Sequence, residues 1–392
     1  MLKVAQISII LHRYTIKYSS MKIFFKSFFA SLLALVVFSL IGFFLLIGIA
    51  ASFSKEEPTV IAANSVLVID LSNEYLEQVQ NDPITELVNK KNGKNPSLSE
   101  LIHLINHAKK DDAIKGIYIK CQQNPNGYAA SEEIRKALID FKSSKKFVIA
   151  YGETITQKGY MVANVADAIY THPQGGIEWN GFNYETVFLK GLLDKLEIQP
   201  QVFYAGKFKS ATEPFRYTQM SEANKLQTNV WLGGLYNQFI ENTASARSLN
   251  ADSLKDWANQ GAIQSAFDAS KNKLVDGLMY DDQVKKMISK KLQQNDQKEI
   301  AFLGMGDYAK SVAIRGTGSG KIAVVYANGD VVMGKNQQGS IASDDFRVLL
   351  QKIRKDASID AVVLRVNSPG GSALASDIIW REIDLLKKEK PV

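Results

Sequence analysis

The chain has 392 residues, too many for one ordinary compact domain, so two are expected. Its 46% hydrophobic and 22% charged residues are the composition of a globular protein. The net charge of +7 invites a nucleic-acid reading, but Lys3, Arg13, Lys17, Lys22 and Lys26 all precede the first acidic residue, Glu56, and the rest carries only +2. That distribution argues against nucleic acid as a partner. A single cysteine, Cys121, excludes an intramolecular disulfide and reads as a small buried hydrophobe.

The run from Ser27 to Ser54 carries no charged residue and is dense in Phe, Leu, Val and Ile. About 20 apolar residues cross a bilayer as a helix, so the run predicts a single-pass anchor. The five cations before it and Lys55-Glu56-Glu57 after it place the N-terminus in the cytoplasm and the remainder outside. A cleaved signal peptide is the rival reading, with Ala50-Ala51-Ser52 as small residues for cleavage, although its apolar region is usually about 7–15 residues long. Met21 is a rival start to Met1.

Beyond the anchor a unit recurs. Displaced by 245 positions, Leu104, Lys110, Asp111, Ile114, Ala130, Ser131, Ile134, Lys142 and Lys145 fall on Leu349, Lys355, Asp356, Ile359, Ala375, Ser376, Ile379, Lys387 and Lys390. Each copy opens with a short apolar strand, Val66–Leu71 or Ile322–Tyr326. A helix follows, with Leu101, Leu104, Ile105 and Ala108 or Phe346, Leu349, Leu350 and Ile353 at helical spacing. A second strand, a turn and another helix complete the unit. Such alternation predicts an α/β fold with parallel sheets.

Histidine is scarce: His12, His103, His107 and His172. His103 and His107 stand four apart on one helix, as two metal ligands can, but without a third ligand or an intervening glutamate; they read as solvated surface residues. A Ser-His-Asp triad has little support. Phe203-Tyr204-Ala205-Gly206-Lys207-Phe208-Lys209 is expected to be an apolar strand ending in a lysine-bearing turn, the place where sites collect in parallel sheets. A lysine acts as a base only when neutral. Its ordinary value of about 10.4 must then be lowered by desolvation, and on chemistry alone both lysines read first as surface residues.

Residues from about 216 to 295 have a helical pattern, with Trp231, Leu232, Leu235, Tyr236 and Phe239 on one side; they predict a helical arm whose stripe serves the core or a subunit interface. Gly316-Thr317-Gly318-Ser319-Gly320-Lys321 has the wrong spacing for a phosphate loop and precedes a strand, so it reads as a linker. In copy two, Asn367-Ser368-Pro369-Gly370-Gly371-Ser372 joins strand to helix. Its glycines could present N–H groups to a developing oxyanion, or form an ordinary turn. Copy one has Gln123-Asn124-Pro125-Asn126-Gly127 in register, without the double glycine. Pro391-Val392 stands at the threshold of a further strand, so the sequence reads as the front of a longer protein.

The anchor, the repeat, Lys207-Phe208-Lys209-Ser210-Ala211-Thr212-Glu213-Pro214-Phe215 and Asn367–Ser376 together resemble the long, two-repeat form of signal peptide peptidase A. The likeness implies a tandem α/β fold like Clp protease and crotonase, with parallel sheets, a helical arm and one N-terminal transmembrane helix. It divides the chain into a cytoplasmic N-terminus and anchor (1–55), a first repeat carrying the arm (56–315) and the start of a second repeat (316–392). The family's Lys-Ser-Ala-x-Glu-Pro-Phe lysine falls on Lys209 as general base, with Lys207 its rival. Gly370 and Gly371 fall on the oxyanion and substrate strand.

Gln157-Lys158-Gly159-Tyr160 fits the family's Ser-Gly-Gly-Tyr-like nucleophile motif with Gln157 in the serine's place. The repeat puts the working serine beyond Val392, near position 402, so neither Ser210 nor Ser372 is the nucleophile and the 392 residues alone are expected to be inactive. The resemblance further implies a serine endopeptidase of the bacterial cytoplasmic membrane, with its catalytic part outside. It would form homo-oligomers and degrade signal peptides and other short or unfolded apolar peptides, without metal, nucleotide or other cofactor. A catalytically dead membrane-anchored scaffold or peptide-binding protein is the alternative if the chain ends at Val392. A crotonase-type acyl-CoA enzyme is disfavoured by the anchor, because CoA is cytoplasmic.

Overall fold

The computed structural model describes residues 24–45, 61–78, 95–294, 299–312, 318, 320–335 and 339–392. The N-terminal cations before Lys26, His12, the Ala50-Ala51-Ser52 cleavage reading and half of the Gly316–Lys321 linker lie outside them. The chain divides into two compact units, Met1–Pro58 and Thr59–Val392. In the first, helix α1 (Phe24–Leu45) is long and apolar enough to cross a membrane. Its 22 residues extend about 33 Å at 1.5 Å per residue, against a hydrocarbon core of about 30 Å. Its side chains face outward along its length; Phe24, Leu33, Phe38 and Phe44 are all exposed.

The second unit is built on six parallel strands: β1 (Ser65–Asp70), β2 (Ile114–Lys120), β3 (Phe147–Ile155), β4 (Ala168–Ile177), β5 (Gly277–Leu278) and β6 (Phe302–Gly304), in the spatial order 5-4-3-2-1-6. Strand residues point alternately to opposite faces. One face carries Leu67, Ile69, Ile117, Ile119, Val148 and Ala150 into the main core. That core is closed by α2 (Leu98–Ala108), α3 (Tyr128–Lys142) and α4 (Gln157–Ala163). The other face carries Val66, Tyr118, Ile149 and Tyr151 into a smaller cluster. A sheet covered on both sides has strands that are apolar on both faces, as the central stretches Val66–Ile69, Ile117–Ile119 and Val148–Ala150 are. Helix α2 starts where it does because Ser97 and Glu100 form a capping box: the Ser97 hydroxyl accepts from the Glu100 N–H, and Glu100 accepts from the Ser97 N–H.

After β4 come two short helices, α5 (Lys190–Lys195) and α6 (Glu213–Arg216), then α7 (Glu222–Arg247), α8 (Ala251–Gln260), α9 (Ala266–Lys271), α10 (Asp281–Lys291) and α11 (Met305–Ser311). Val284 and Ile288 of α10 cover the second face of the sheet. The aromatic stripe on α7 divides between two environments. Phe239 is buried and Tyr236 packs on the main core, whereas Trp231 is 42% exposed.

The remainder pairs β7 (Ile322–Asn328) with β10 (Ala361–Asn367), in parallel, from Ile322↔Ala361 to Asn328↔Asn367. Two short strands, β8 (Val331–Val332) and β9 (Ile341–Ala342), pair beside them, and α12 (Ser343–Lys355) and α13 (Ala373–Lys387) complete it. Val325, Leu350, Ile353, Val362, Ile379 and Leu386 form a separate core. The start of α12 is displaced from the start of α2 by the interval that relates the two sequence copies. Both ends of α13 are displaced from those of α3 by the same interval.

Candidate active site

The expected strand before Lys207 does not form: residues 196–205 have no helix or strand. A strand persists only where its backbone groups find a ladder partner, and no strand pairs with this stretch among the described residues. Phe203 is 92% exposed as a result. Lys209 therefore sits at the N-cap of the short 3-10 turn Ser210–Thr212, not at a strand end, with its N–H donating to the Gly206 carbonyl at 3.4 Å.

What fixes this segment is Glu213. It is buried, and its carboxylate accepts from the Ser221 hydroxyl at 2.5 Å, the Ser221 N–H at 3.2 Å and the Asn224 amide at 2.9 Å. Burial pushes the Glu213 carboxyl upward. The hydrogen bonds from Ser221 and Asn224 and the nearby Arg216 charge outweigh it and hold the group below the usual carboxylate range. Ser221 is also the N-cap of α7, so one carboxylate ties the lysine segment to the start of the longest helix of this unit. The Pro214 carbonyl accepts from the Leu189 N–H, and the Arg216 guanidinium lies 3.7 Å from the Tyr204 ring centre.

The two lysines differ. Lys207 Nζ lies 5.7 Å from the Phe208 ring centre, whereas Lys209 Nζ has no hydrogen bond or ion pair among the described residues and is exposed. A base lysine needs a surface that covers it, and no described residue supplies one.

The Gly-rich turn follows β10. Asn367 is anchored to β7: its carbonyl accepts from the Gly329 N–H and its side-chain amide donates to Asn328 Oδ1. The Gly370 N–H donates to Ser368 Oγ at 3.1 Å, and the Gly370 carbonyl accepts from the Val331 N–H. The Val331 carbonyl in turn accepts from the Ser372 N–H. These bonds make a parallel bridge between Val331 and Gly371, in which the N–H of Gly371 itself faces away from β8. It has no acceptor among the described residues.

The two glycines read together in the sequence thus separate: the Gly370 N–H is occupied, and the Gly371 N–H is the free donor. Gly371 has φ +153°, and a Cβ there would lie 2.1 Å from the Val331 carbonyl oxygen, so a side chain is excluded by contact as well as by backbone. Ser372 caps α13 by accepting from the Ala375 N–H. No hydrogen bond or ion pair joins this turn to the Lys209 segment among the described residues.

In the first copy the corresponding turn, Gln123–Gly127, carries side-chain amides, with Asn124 in the place of Pro369 and Asn126 in that of Gly371. Asn124 donates to Ser131 Oγ and the Lys158 carbonyl and accepts from the Asn126 N–H. Asn126 donates to the Asn73 carbonyl and accepts from the Tyr75 N–H at 2.7 Å. Gln157, at the first position of α4, accepts from the N–H groups of Asn180 and Gly181 and donates to the Gly181 carbonyl. It grips that loop as a peptide group would. The sequence placed Gln157 but did not show this grip, nor the role of Glu213; the Ser221 cap preceding α7 was the available signal for the latter.

Cys121 is fully buried, and burial pushes its thiol up to about 12. His107 is not simply solvated: Tyr308 donates to Asp111 at 3.0 Å, leaving its oxygen to accept from His107 Nδ1 at 2.8 Å. His103 is exposed. No cluster of three or more His, Cys, Asp or Glu able to hold a metal occurs among the described residues.

Residues 140–295, which include the Lys209 segment and the helices α7 to α10, match the model of Peptidase family S49. Protease 4 of Haemophilus influenzae is 30% identical over 372 residues, covering 90% of this chain and 60% of that protein. Serine protease SPPA, chloroplastic, of Arabidopsis thaliana is 29% identical over 306 residues, covering 76% of this chain and 45% of that one. Together these matches support a protein of the signal peptide peptidase A family. The chain spans roughly half the length of these curated relatives. Among solved structures, 1510-N membrane-bound stomatin-specific protease is 14% identical with a TM-score of 0.34, covering 62% of this chain and 98% of that one. That likeness is too distant to bear on the site.

Proposed function

We propose that this chain carries the general base and the oxyanion donor of a Ser/Lys endopeptidase, anchored by α1 with the rest of the chain outside the cytoplasm. In this reading Lys209, once covered and neutral, takes the proton of the nucleophilic serine. In this reading the nucleophilic serine belongs to the Ser-Gly-Gly-Tyr-like motif of the second repeat. As it attacks a peptide carbonyl, the N–H of Gly371 donates to the developing oxyanion, and Gly370 shapes the turn that presents it. Substrates are extended apolar peptides, signal peptides among them, paired through their backbone to the site's strands. No cofactor takes part.

The observation that carries the reading is the Glu213 lock. A buried carboxylate with three donors holds the segment that bears Lys209, within the region that matches the peptidase family. The common displacement of α12 from α2 and of α13 from α3 supports the tandem repeat, in which Gln157 occupies the serine's position of the first copy. The exposure of Lys209 fits a homo-oligomer in which a neighbouring surface desolvates it.

A fluorophosphonate serine probe tests the reading on the product of the complete gene. Labelling at one serine of the second repeat is expected. Absence of labelling in a folded, membrane-inserted protein would instead favour a scaffold that binds peptides without cutting them.

A further inference from the structure

The main core runs from Leu67 to Val312 and the second core from Val325 to Leu386, and the two do not merge. If Lys209 and Gly371 act on one substrate, something must hold the second sheet in register with the first. Arg365 offers the means. It lies on β10, on the same face as Val363 by alternation, just before the Ser368–Ser372 turn.

Its guanidinium reaches across to two carboxylates of the first sheet region. Both Nε and Nη2 donate to Glu77, the latter at 2.8 Å, and Nη2 also donates to Glu133 at 2.8 Å. Glu77 lies in the segment after β1, and Glu133 lies on α3. The side chain of Glu77 is only 15% exposed and that of Arg365 30%, so solvent screens the contact less than it would a surface pair.

The partners are themselves fixed. The Tyr75 N–H and the Asn73 carbonyl, just before Glu77, are both bonded to Asn126 in the first copy's own turn. The segment after β1 is thus held at residues 73 and 75 by Asn126 and at Glu77 by Arg365. The repeat counterpart of Arg365 is Lys120, which lies 4.0 Å from Asp70 on the neighbouring strand, a contact within one sheet. The cross-sheet fork belongs to the second copy.

We propose that Arg365 is a positioning residue for the Ser368–Ser372 turn: held by Glu77 and Glu133, it sets the oxyanion glycine against the strand ends of the first sheet. A planar fork is suited to this because it engages two carboxylates at fixed angles, which a lysine ammonium does not. The inference rests on the reading of this turn as the oxyanion site.

The test uses the product of the complete gene, with Arg365→Gln, Arg365→Lys and the exchanged pair Glu77→Arg/Arg365→Glu. Hydrogen exchange of residues 366–376 is expected to quicken by about ten-fold in Arg365→Gln while strand 114–120 is unchanged. Peptide hydrolysis is expected to lose about 30-fold in kcat with KM within about two-fold, since a displaced donor weakens the transition state more than the bound substrate. Arg365→Lys should fall between the two, and the exchanged pair should recover part of the loss. Unchanged exchange at 366–376, or a loss confined to KM, would overturn the proposal. If the unaltered protein takes no serine probe, the oxyanion reading fails, yet the exchange experiment still decides whether Arg365 orders the turn.

Discussion

The turn after β2 and the turn after β10 occupy corresponding places in the two copies and satisfy their backbones in opposite ways. After β2, the side chains of Asn124 and Asn126 supply donors and acceptors to the surrounding main chain, and the turn is a closed polar staple. After β10, the main chain is bonded to β8 along one side only, and the Gly371 N–H is left pointing away. The same contrast holds for the following motif, where Gln157 spends its whole carboxamide on the 180–181 loop. A duplicated unit can keep its scaffold while one copy exchanges an available backbone donor for side-chain hydrogen bonds. On the proposed reading the first copy serves stability and carries Lys209, and the second presents the donor.

The sharpest way to break this contrast is Gly371→Ala. The added Cβ meets the Val331 carbonyl at 2.1 Å, so the bridge must open and the free N–H must turn. Loss of one oxyanion donor costs about 100- to 1,000-fold in kcat, and peptide hydrolysis by the complete gene product should fall by at least that much. Wild-type kcat in this variant would remove Gly371 from the site.

The counterpart in the first copy is Asn126→Ala. It strands the buried Tyr75 N–H and the Asn73 carbonyl, and should cost about 2–3 kcal/mol of stability in chemical denaturation. The transition-state preference should persist: kcat measured well below the unfolding midpoint stays within a few-fold of wild type. A loss of kcat matching that of Gly371→Ala would mean that the two turns do not divide the work as described.

A smaller effect follows from Glu213. Its carboxyl is held below the usual range in the folded chain, so the ionised form is the one folding favours. The stability it contributes is fully present above the ordinary carboxylate range and is lost as pH falls through its lowered value. Glu213→Gln should therefore be less stable than wild type by about 1–2 kcal/mol at neutral pH, with the difference shrinking in acid. A difference independent of pH would show that the charge of Glu213 is not what holds the lysine segment.

Much of the fold was legible because its signals are local. Apolar runs at 66–71 and 114–120, helical spacing at 101–108 and 346–353, and the constant displacement between the copies mark elements that do not depend on their partners. The apolar run around Phe203 misled because a strand also needs a neighbour, which the sequence of one segment does not report. For the site, residue types narrowed the choice to Lys207, Lys209 and the paired glycines. The division between Gly370 and Gly371 depends on which carbonyl accepts from the Val331 N–H, a matter of register with β8, from which α12 and β10 separate the turn in the sequence. The Arg365 fork, with partners 288 and 232 residues distant, has no local pattern at all.

The most direct test of the central claim is the turnover of an apolar peptide by the complete gene product carrying Lys209→Ala or Lys207→Ala. If the first repeat supplies the base, Lys209→Ala abolishes turnover with assembly intact, and Lys207→Ala retains it. Turnover unchanged in Lys209→Ala, or lost only in Lys207→Ala, would contradict the account.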